Sequence, residues 1–247
     1  MLTIVVPMAG DSVFFPQAEY RYPKVFQEVM GRPMIQVVVE NLMKVEQPKR
    51  FVFVINDADA KRYRLDNVLR MLTLDNCDIV IQKAPTKGAV CSLLLAVKLL
   101  NHDGPVLISN ADQLLDHDLN RVTQHFANPE LDGGVVCFDS VHPQWSYARV
   151  IEEDRVIETA EKEPISRNAI AGLYYFSKGR DFIESAMSTI VKGRSFGGNY
   201  YTSSVLNDLI LRNKRLSVYR IGANEYHSFY SPEKIKEFEQ RLQGNQA

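Results

Sequence analysis

Apolar and polar positions along the chain follow two alternating rhythms. Short β-branched runs, Leu2–Pro7 (LTIVVP), 50–56 (RFVFVIN), Cys77–Gln82 (CDIVIQ) and the GPVLIS stretch before Asn110, have the continuous apolar character of strands buried on both faces. Between them lie helical patterns. In PMIQVVVENLMKV, residues Met34, Val38 and Leu42 recur every fourth position with Ile35 and Val39 beside them, which makes one apolar face, and Pro33 suits a helix start. A charged segment reaching about Met71 is predicted to be helical, and TKGAVCSLLLAVKLLN, from Thr86, reads as a glycine turn leading into an apolar helix. This alternation predicts a doubly wound half with a mainly parallel sheet.

After about residue 130 the pattern changes. DGGVVCFDS, SYARVIEEDRVIETAEK and AIAGLYYF give three or four strands joined by short turns, a smaller and more antiparallel lobe expected to cover the carboxyl edge of the sheet. Helices return over Gly179–Val191, 201–212 and 232–242, around one strand, RLSVYRI. No repeat, low-complexity tract or Pro/Gly linker interrupts the 247 residues, so a single domain of two lobes is expected.

Composition narrows the function. With 45% hydrophobic residues there is ample core, and 29 basic against 30 acidic side chains leave no bulk field for nucleic acid or an anionic membrane. A small-molecule partner is favoured. Three scattered cysteines fit neither a disulfide framework nor a zinc site. No basic leader or membrane-length apolar run occurs, so a soluble cytoplasmic protein is expected.

Candidate chemistry collects at strand ends, where open parallel sheets bind ligands. The first strand ends at Ala9-Gly10, the third at Gln82 and the fourth at Asn110-Ala111-Asp112. Ala9 and Gly10 expose backbone amides that could cradle a phosphate, or form an ordinary strand-to-loop turn. Lys24, stiffened by Pro23, could aim an ammonium at a phosphate or simply be solvated. Asp112 could hold Mg²⁺, or cap the following helix; Asp116 is the better cap candidate. Glu161-Lys162 precede a turn that faces the crevice if the lobes pack as expected. The aromatics Trp145, Tyr147, Tyr174, Tyr175, Tyr200 and Tyr201 read as core or rim, and His142 and His227 lack metal-site spacing.

Taken together, PMAG, PK, GRPMI, GAVCSLLLA, SNADQ, HPQWSYARV, AEK and AGLYYF, in this order, resemble the sugar-phosphate nucleotidyltransferases, or nucleoside-diphosphate-sugar pyrophosphorylases. The likeness extends to the compact bacterial branch found among surface-polysaccharide genes. It implies a three-layer α/β/α nucleotide-diphospho-sugar transferase (Rossmann-like) fold, with a mixed, mainly parallel sheet and a smaller antiparallel lobe. Residues 1–130 would be the nucleotide-binding half, and 131–247 the acceptor-binding half with the C-terminal helices. The implied reaction joins an NTP to a phosphorylated small metabolite and releases pyrophosphate. Lys24 would stabilise phosphate charge, and Ala9, Gly10, Asp11, Gln82 and Gly88 would bind the nucleotide. Asp112 would hold Mg²⁺, Glu161 and Lys162 would contact the acceptor, and Gly172 would leave room for it. Relatives often pair, which makes a homodimer an expectation.

Two departures stand out. The family loop Gly-x-Gly-x-Arg-Phe reads here Gly10-Asp11-Ser12-Val13-Phe14-Phe15, with Phe14 in the arginine's place. Near the C-terminus, Ser228 and Tyr230 replace an acid and a glycine of many members. Arg21, and after it Lys87, are the candidate substitute cations. The alternatives are a catalytically weakened nucleotide-binding protein on the same fold and a glycosyltransferase on the related one.

Overall fold

The computed structural model describes residues 1–16 and 18–244. In chain order, β1 (Leu2–Pro7) leads through a 3₁₀ turn at Lys24–Phe26 to the short strands β2 (Glu28–Val29) and β3 (Arg32–Pro33) and helix α1 (Met34–Met43). The first half continues with β4 (Lys49–Asn56), α2 (Asp57–Tyr63), α3 (Leu65–Leu72), β5 (Cys77–Gln82), α4 (Ala89–Leu94), α5 (Val97–Leu100) and β6 (Val106–Ser109). The second half holds β7 (Gln113–Leu115), α6 (Leu119–Phe126), β8 (Gly133–Asp139), β9 (Ser146–Val150), β10 (Val156–Glu161) and β11 (Asn168–Phe176). It ends with α7 (Gly179–Val191), α8 (Thr202–Leu211), β12 (Leu216–Arg220), β13 (Tyr226–Ser228) and α9 (Pro232–Gly244).

Strand periodicity builds the three layers. Successive side chains of a strand point to opposite faces, so Leu2, Ile4 and Val6 of β1 and Phe51, Phe53 and Ile55 of β4 pack into one core with α1, α3 and α6. Val5, Val52 and Val54 pack into the other, with α4, α7 and α8. The sheet between them has nine strands. β6-β1-β4-β5 are parallel, and the antiparallel strand β11 joins them to β8 and β9.

The structure departs from the sequence pattern at four places. The charged helix breaks at Arg64, which adopts a left-handed conformation with φ 54°. The apolar helix after Thr86 divides into α4 and α5 around Ala96. The fourth strand ends before Asn110 as expected, but 113–115 then forms a further short strand that pairs with β13 outside the main sheet. Asp118, not Asp116, caps α6, its carboxylate accepting from the Asn120 amide at 2.9 Å. The Asp116 amide instead donates to the Glu225 carbonyl at 2.7 Å, which ties the chain to β13. Asn41, buried on α1, donates to the Leu115 carbonyl and accepts from the Leu115 amide, fixing β7 from below. Cys77, Cys91 and Cys137 are free thiols. Among the described residues, no helix is long and apolar enough to cross a membrane.

Candidate active site

The carboxyl ends of β1, β4, β5 and β6 and the inner face of the antiparallel lobe enclose one cleft of about 1060 Å³. Ala9, Gly10, Asp11, Lys24, Gln82, Gly88, Asp112, Glu161, Lys162 and Gly172 all line it. Arg21 does not. It lies in an adjoining recess with Tyr20, Tyr22 and Tyr63, its guanidinium 5.5 Å from the Tyr22 ring centre.

On the floor, Pro23 (φ −61°) sets the entry to the 3₁₀ turn that Lys24 begins. The Lys24 ammonium donates to Asp112 Oδ2 at 2.8 Å. Asp112 is held in turn by its own carbonyl, which accepts from the Phe229 amide at 2.7 Å. Ser228 lines the cleft and is one residue from Phe229; it pairs with Gln113 in the β7–β13 ribbon. A Cβ added at Gly10 would meet nothing within 4 Å, so the space above that turn is open.

On the wall formed by β5 and α4, Gln82 is 5% exposed and accepts from the Ser92 hydroxyl at 2.7 Å. Gly88 has φ 94°, and a Cβ there would lie 2.6 Å from the Tyr200 carbonyl oxygen, so only glycine fits this approach. Asp59, facing the cleft from α2, has its carboxyl raised by burial; the Asn56 side chain opposes the shift and Asp11 adds to it.

The opposite wall is more tightly bonded. Glu161, at the end of β10, accepts from the hydroxyls of Ser146 and, at 2.7 Å, Ser203. Burial raises its carboxyl above the ordinary range, against the pull of both hydroxyls and Lys162. Lys162 turns through a left-handed conformation, φ 55°, and its ammonium lies 5.6 Å from the Tyr201 ring centre and 5.9 Å from that of Phe196. Such placements are worth about 0.5–1 kcal/mol at exposed sites.

Gly172 has a different local task from simple clearance. At φ 60°, it would direct a Cβ to 2.3 Å from both Asn110 Nδ2 and Gln113 Oε1, while its carbonyl accepts from the Asn110 amide and Gln113 Nε2 at 3.0 Å. It closes the seam between β6 and β11.

Several lining residues carry no spacing signal in the sequence. Trp145, Tyr174, Tyr201, Tyr226 and Tyr230 line the cleft, whereas Tyr147 is buried in the core. Phe14 packs edge-to-face on Tyr230 with ring centres 5.2 Å apart, which replaces a polar loop with an aromatic clasp. Lys83 is the cation that sequence reading missed. Lys24, Lys83 and Lys162 line the cleft, Lys87 does not, and among the described residues no arginine does.

The oxygen chemistry of the floor suits magnesium in one mode only. Among the described residues no cluster of three or more metal-ligating side chains exists, so a full protein cage is absent. One carboxylate, Asp112, beside open space fits a hard cation that takes its remaining ligands from phosphates and water.

Comparisons with known proteins agree with this geometry. The bifunctional protein GlmU of Aquifex aeolicus is 28% identical over 153 residues, which cover 57% of this chain and 31% of that protein. The chain thus spans about a third of that relative's length. A nucleoside-diphosphate-sugar pyrophosphorylase from Vibrio cholerae RC9 superposes with a TM-score of 0.84 at 24% identity, covering 95% of this chain and 98% of that one. A UDP-glucose pyrophosphorylase in complex with UDP-glucose does so with a TM-score of 0.78 at 19% identity, over 98% of each chain. At these identities the structural likeness establishes the fold. The nucleotidyl transferase family model matches residues 12–208, which include Lys24, Asp112 and both walls of the cleft, and the chain belongs to that family.

Proposed function

We propose that the protein transfers a nucleoside monophosphate from an NTP to a small phosphorylated metabolite, such as a sugar 1-phosphate, and releases pyrophosphate. The Lys24–Asp112 pair carries this reading. It lies on the cleft floor, between the open Gly10 turn and the Glu161-Lys162 wall.

The acceptor's phosphate oxygen attacks the α-phosphorus, the bond from that phosphorus to the bridging oxygen breaks, and pyrophosphate leaves with the bond pair. Little covalent work falls to the protein, so catalysis amounts to positioning and charge stabilisation. Lys24 supplies positive charge at the transferring phosphoryl group. Ala9, Gly10, Asp11, Gln82 and Gly88 receive the nucleotide, and Glu161 and Lys162 orient the acceptor. Magnesium at Asp112 would neutralise phosphate charge. The relatives' names, a UDP-glucose pyrophosphorylase among them, support a sugar-nucleotide product. A role in supplying activated precursors of surface polysaccharide, in the cytoplasm where NTPs are made, follows from the same reading.

A second reading rests on one observation: no arginine lines the cleft among the described residues. With Phe14 in the loop and Arg21 in the side recess, the charge available to a leaving pyrophosphate is three lysines, which suits a nucleotide-binding protein of low turnover. A matrix of common NTPs against phosphorylated metabolites, with Mg²⁺ and pyrophosphate as readout, separates the two. Pyrophosphate formed with one pair supports the transferase. Ligand-induced melting shifts without pyrophosphate across the matrix support the binding protein.

A further inference from the structure

We infer that Phe196 and Tyr201 are positioning residues for the acceptor: their two rings clamp the Lys162 ammonium at the cleft wall and leave its charge free for the acceptor's phosphate. The inference rests on the transferase reading given above. The three cleft lysines are held in different ways. Lys24 donates to the Asp112 carboxylate, so its charge is already partnered. Lys83 lines the cleft with neither a carboxylate nor a ring beside it among the described residues. Lys162 has no carboxylate partner there either, because the neighbouring Glu161 turns to the Ser146 and Ser203 hydroxyls. Rings alone hold it. Its ammonium lies over the Tyr201 ring at 5.6 Å from the centre and over the Phe196 ring at 5.9 Å, and the two rings stand at 72° to each other with centres 6.4 Å apart.

A ring face attracts a cation through its quadrupole and carries no net charge, so it orients the ammonium without neutralising it. A phosphate is bound by a lysine as a point charge, and Lys162 offers that charge at a fixed place.

The chain around Phe196 is shaped to present the ring. Phe196 is 44% exposed and belongs to neither core. Its amide donates to the Asn199 carbonyl at 2.9 Å and the Asn199 amide donates to the Phe196 carbonyl at 3.0 Å, which closes a two-residue turn over Gly197 and Gly198, at φ 56° and 79°. A Cβ at either glycine would meet nothing within 4 Å, so the pair serves the backbone of the turn and not clearance. Tyr201 follows Tyr200, whose amide donates to the Lys87 carbonyl at 2.8 Å and whose carbonyl accepts from the Val90 amide at 3.2 Å, tying this side of the clamp to α4. Tyr201 lines the cleft and Phe196 does not, so Phe196 acts through Lys162 and not on a substrate.

Two measurements test the clamp. In protein carrying isotope-labelled lysine, the Lys162 ε-methylene resonance, assigned by its loss in Lys162→Arg, is expected upfield of the Lys83 resonance because it lies over ring faces. Phe196→Leu keeps an apolar side chain, removes the ring and should move the signal back. With the NTP and phosphorylated metabolite that release pyrophosphate in the matrix above, Phe196→Leu should raise the acceptor KM about fivefold or more, with kcat and the NTP KM within about twofold of wild type. Phe196→Trp, which supplies the most strongly attracting ring, should keep the acceptor KM within about twofold of wild type. A Lys162 signal that is not displaced, or that Phe196→Leu leaves in place, overturns the inference, as does an acceptor KM unmoved by Phe196→Leu or an NTP KM that rises equally. Equal losses in Phe196→Leu and Phe196→Trp would assign Phe196 to packing alone and overturn it too. Pyrophosphate from no pair in the matrix removes the transferase reading itself, and the inference with it.

Discussion

The floor of the cleft and its Glu161 wall are built on opposite plans. Lys24 and Asp112 make one strong contact, with each other, and are otherwise placed by the backbone: a proline-led turn on one side and a strand end pinned by Asn41 and Phe229 on the other. Glu161, by contrast, is bonded to two hydroxyls, Ser146 and Ser203, that come from β9 and α8. A floor of this kind can lose a side chain and keep its shape. In the wall, the side chain is part of the scaffold, so function and stability should separate on the floor and travel together in the wall.

The sharpest test of that contrast is Asp112→Ala. It should abolish Mg²⁺-dependent pyrophosphate formation, with the melting temperature shifted by no more than a few degrees, because a partly exposed ion pair contributes about 0–1 kcal/mol. Early melting with full specific activity would break the comparison. Lys24→Ala should lower kcat by about 10², the loss typical of removing one preorganised charge donor, with circular dichroism unchanged; unaltered kinetics would remove Lys24 from the mechanism.

On the wall, Glu161→Ala should weaken acceptor use and also lower the melting temperature, since unpaired buried hydroxyls cost about 1–3 kcal/mol and each kcal/mol is worth about 2–4 °C at this size. Its titration has a defined sign. Folding raises the Glu161 carboxyl above the ordinary glutamate value of 4.5, so the folded state binds the proton more tightly than the unfolded chain. The stability contributed by that proton is complete below 4.5 and is lost as pH rises through the raised value. In denaturant titrations across acidic pH, Glu161→Gln should flatten this fall; an unchanged slope would show that Glu161 does not cause it.

The smallest expected effect is at Arg21. With its guanidinium over Tyr22 and outside the cleft, Arg21→Ala should leave kcat within about threefold, far below the loss assigned to a charge donor. Phe14→Arg, which restores a cation to the cleft rim, should tighten NTP binding even though it gives up the Tyr230 contact, worth about 0.5–1.5 kcal/mol. A hundredfold loss in Arg21→Ala would mean that the loop swings inward when nucleotide binds.

Which parts of this architecture are legible in the sequence follows from how far apart the cooperating residues lie. β1, β4, β5 and α7 are marked by local apolar periodicity and were expected within a residue or so of their observed bounds. Residues at strand ends inherit that legibility, which is why the sequence brings Asp112, Gln82 and Gly10 to the one crevice that they line in the structure. Ser203 and Ser146 could not, because 42 and 15 residues separate them from Glu161; Ser203 belongs to no motif, and the HPQWSYARV segment that holds Ser146 gives no sign of its partner. The short strand Gln113–Leu115 is hidden for a related reason: two leucines after Asn110–Gln113 give no strand period, and only pairing with the distant Tyr226–Ser228 strand makes them one. Arg21 shows the opposite error. Its closeness to Lys24 in sequence suggested a shared target, and the intervening turn sends the two side chains to different recesses.

The strand at the seam has a mechanical consequence. β11 is hydrogen-bonded to β6, β8 and β9 at once, and the Gly172 carbonyl adds two bonds where the halves meet. The register with β8 shifts between Ile170 and Tyr174, but ladder pairs flank that bulge on both sides, so a hinge there would have to break pairing on either side of Gly172, and the distance from the Gln82 wall to the Glu161 wall is set by strand spacing and register, as on a ruled scale. Two substrates seated against those walls, as proposed, would be gauged by the sheet itself, and a change of ångström size in their reach, which is enough to cost about 10² in rate, would have to be met by the side chains and loops on the rim.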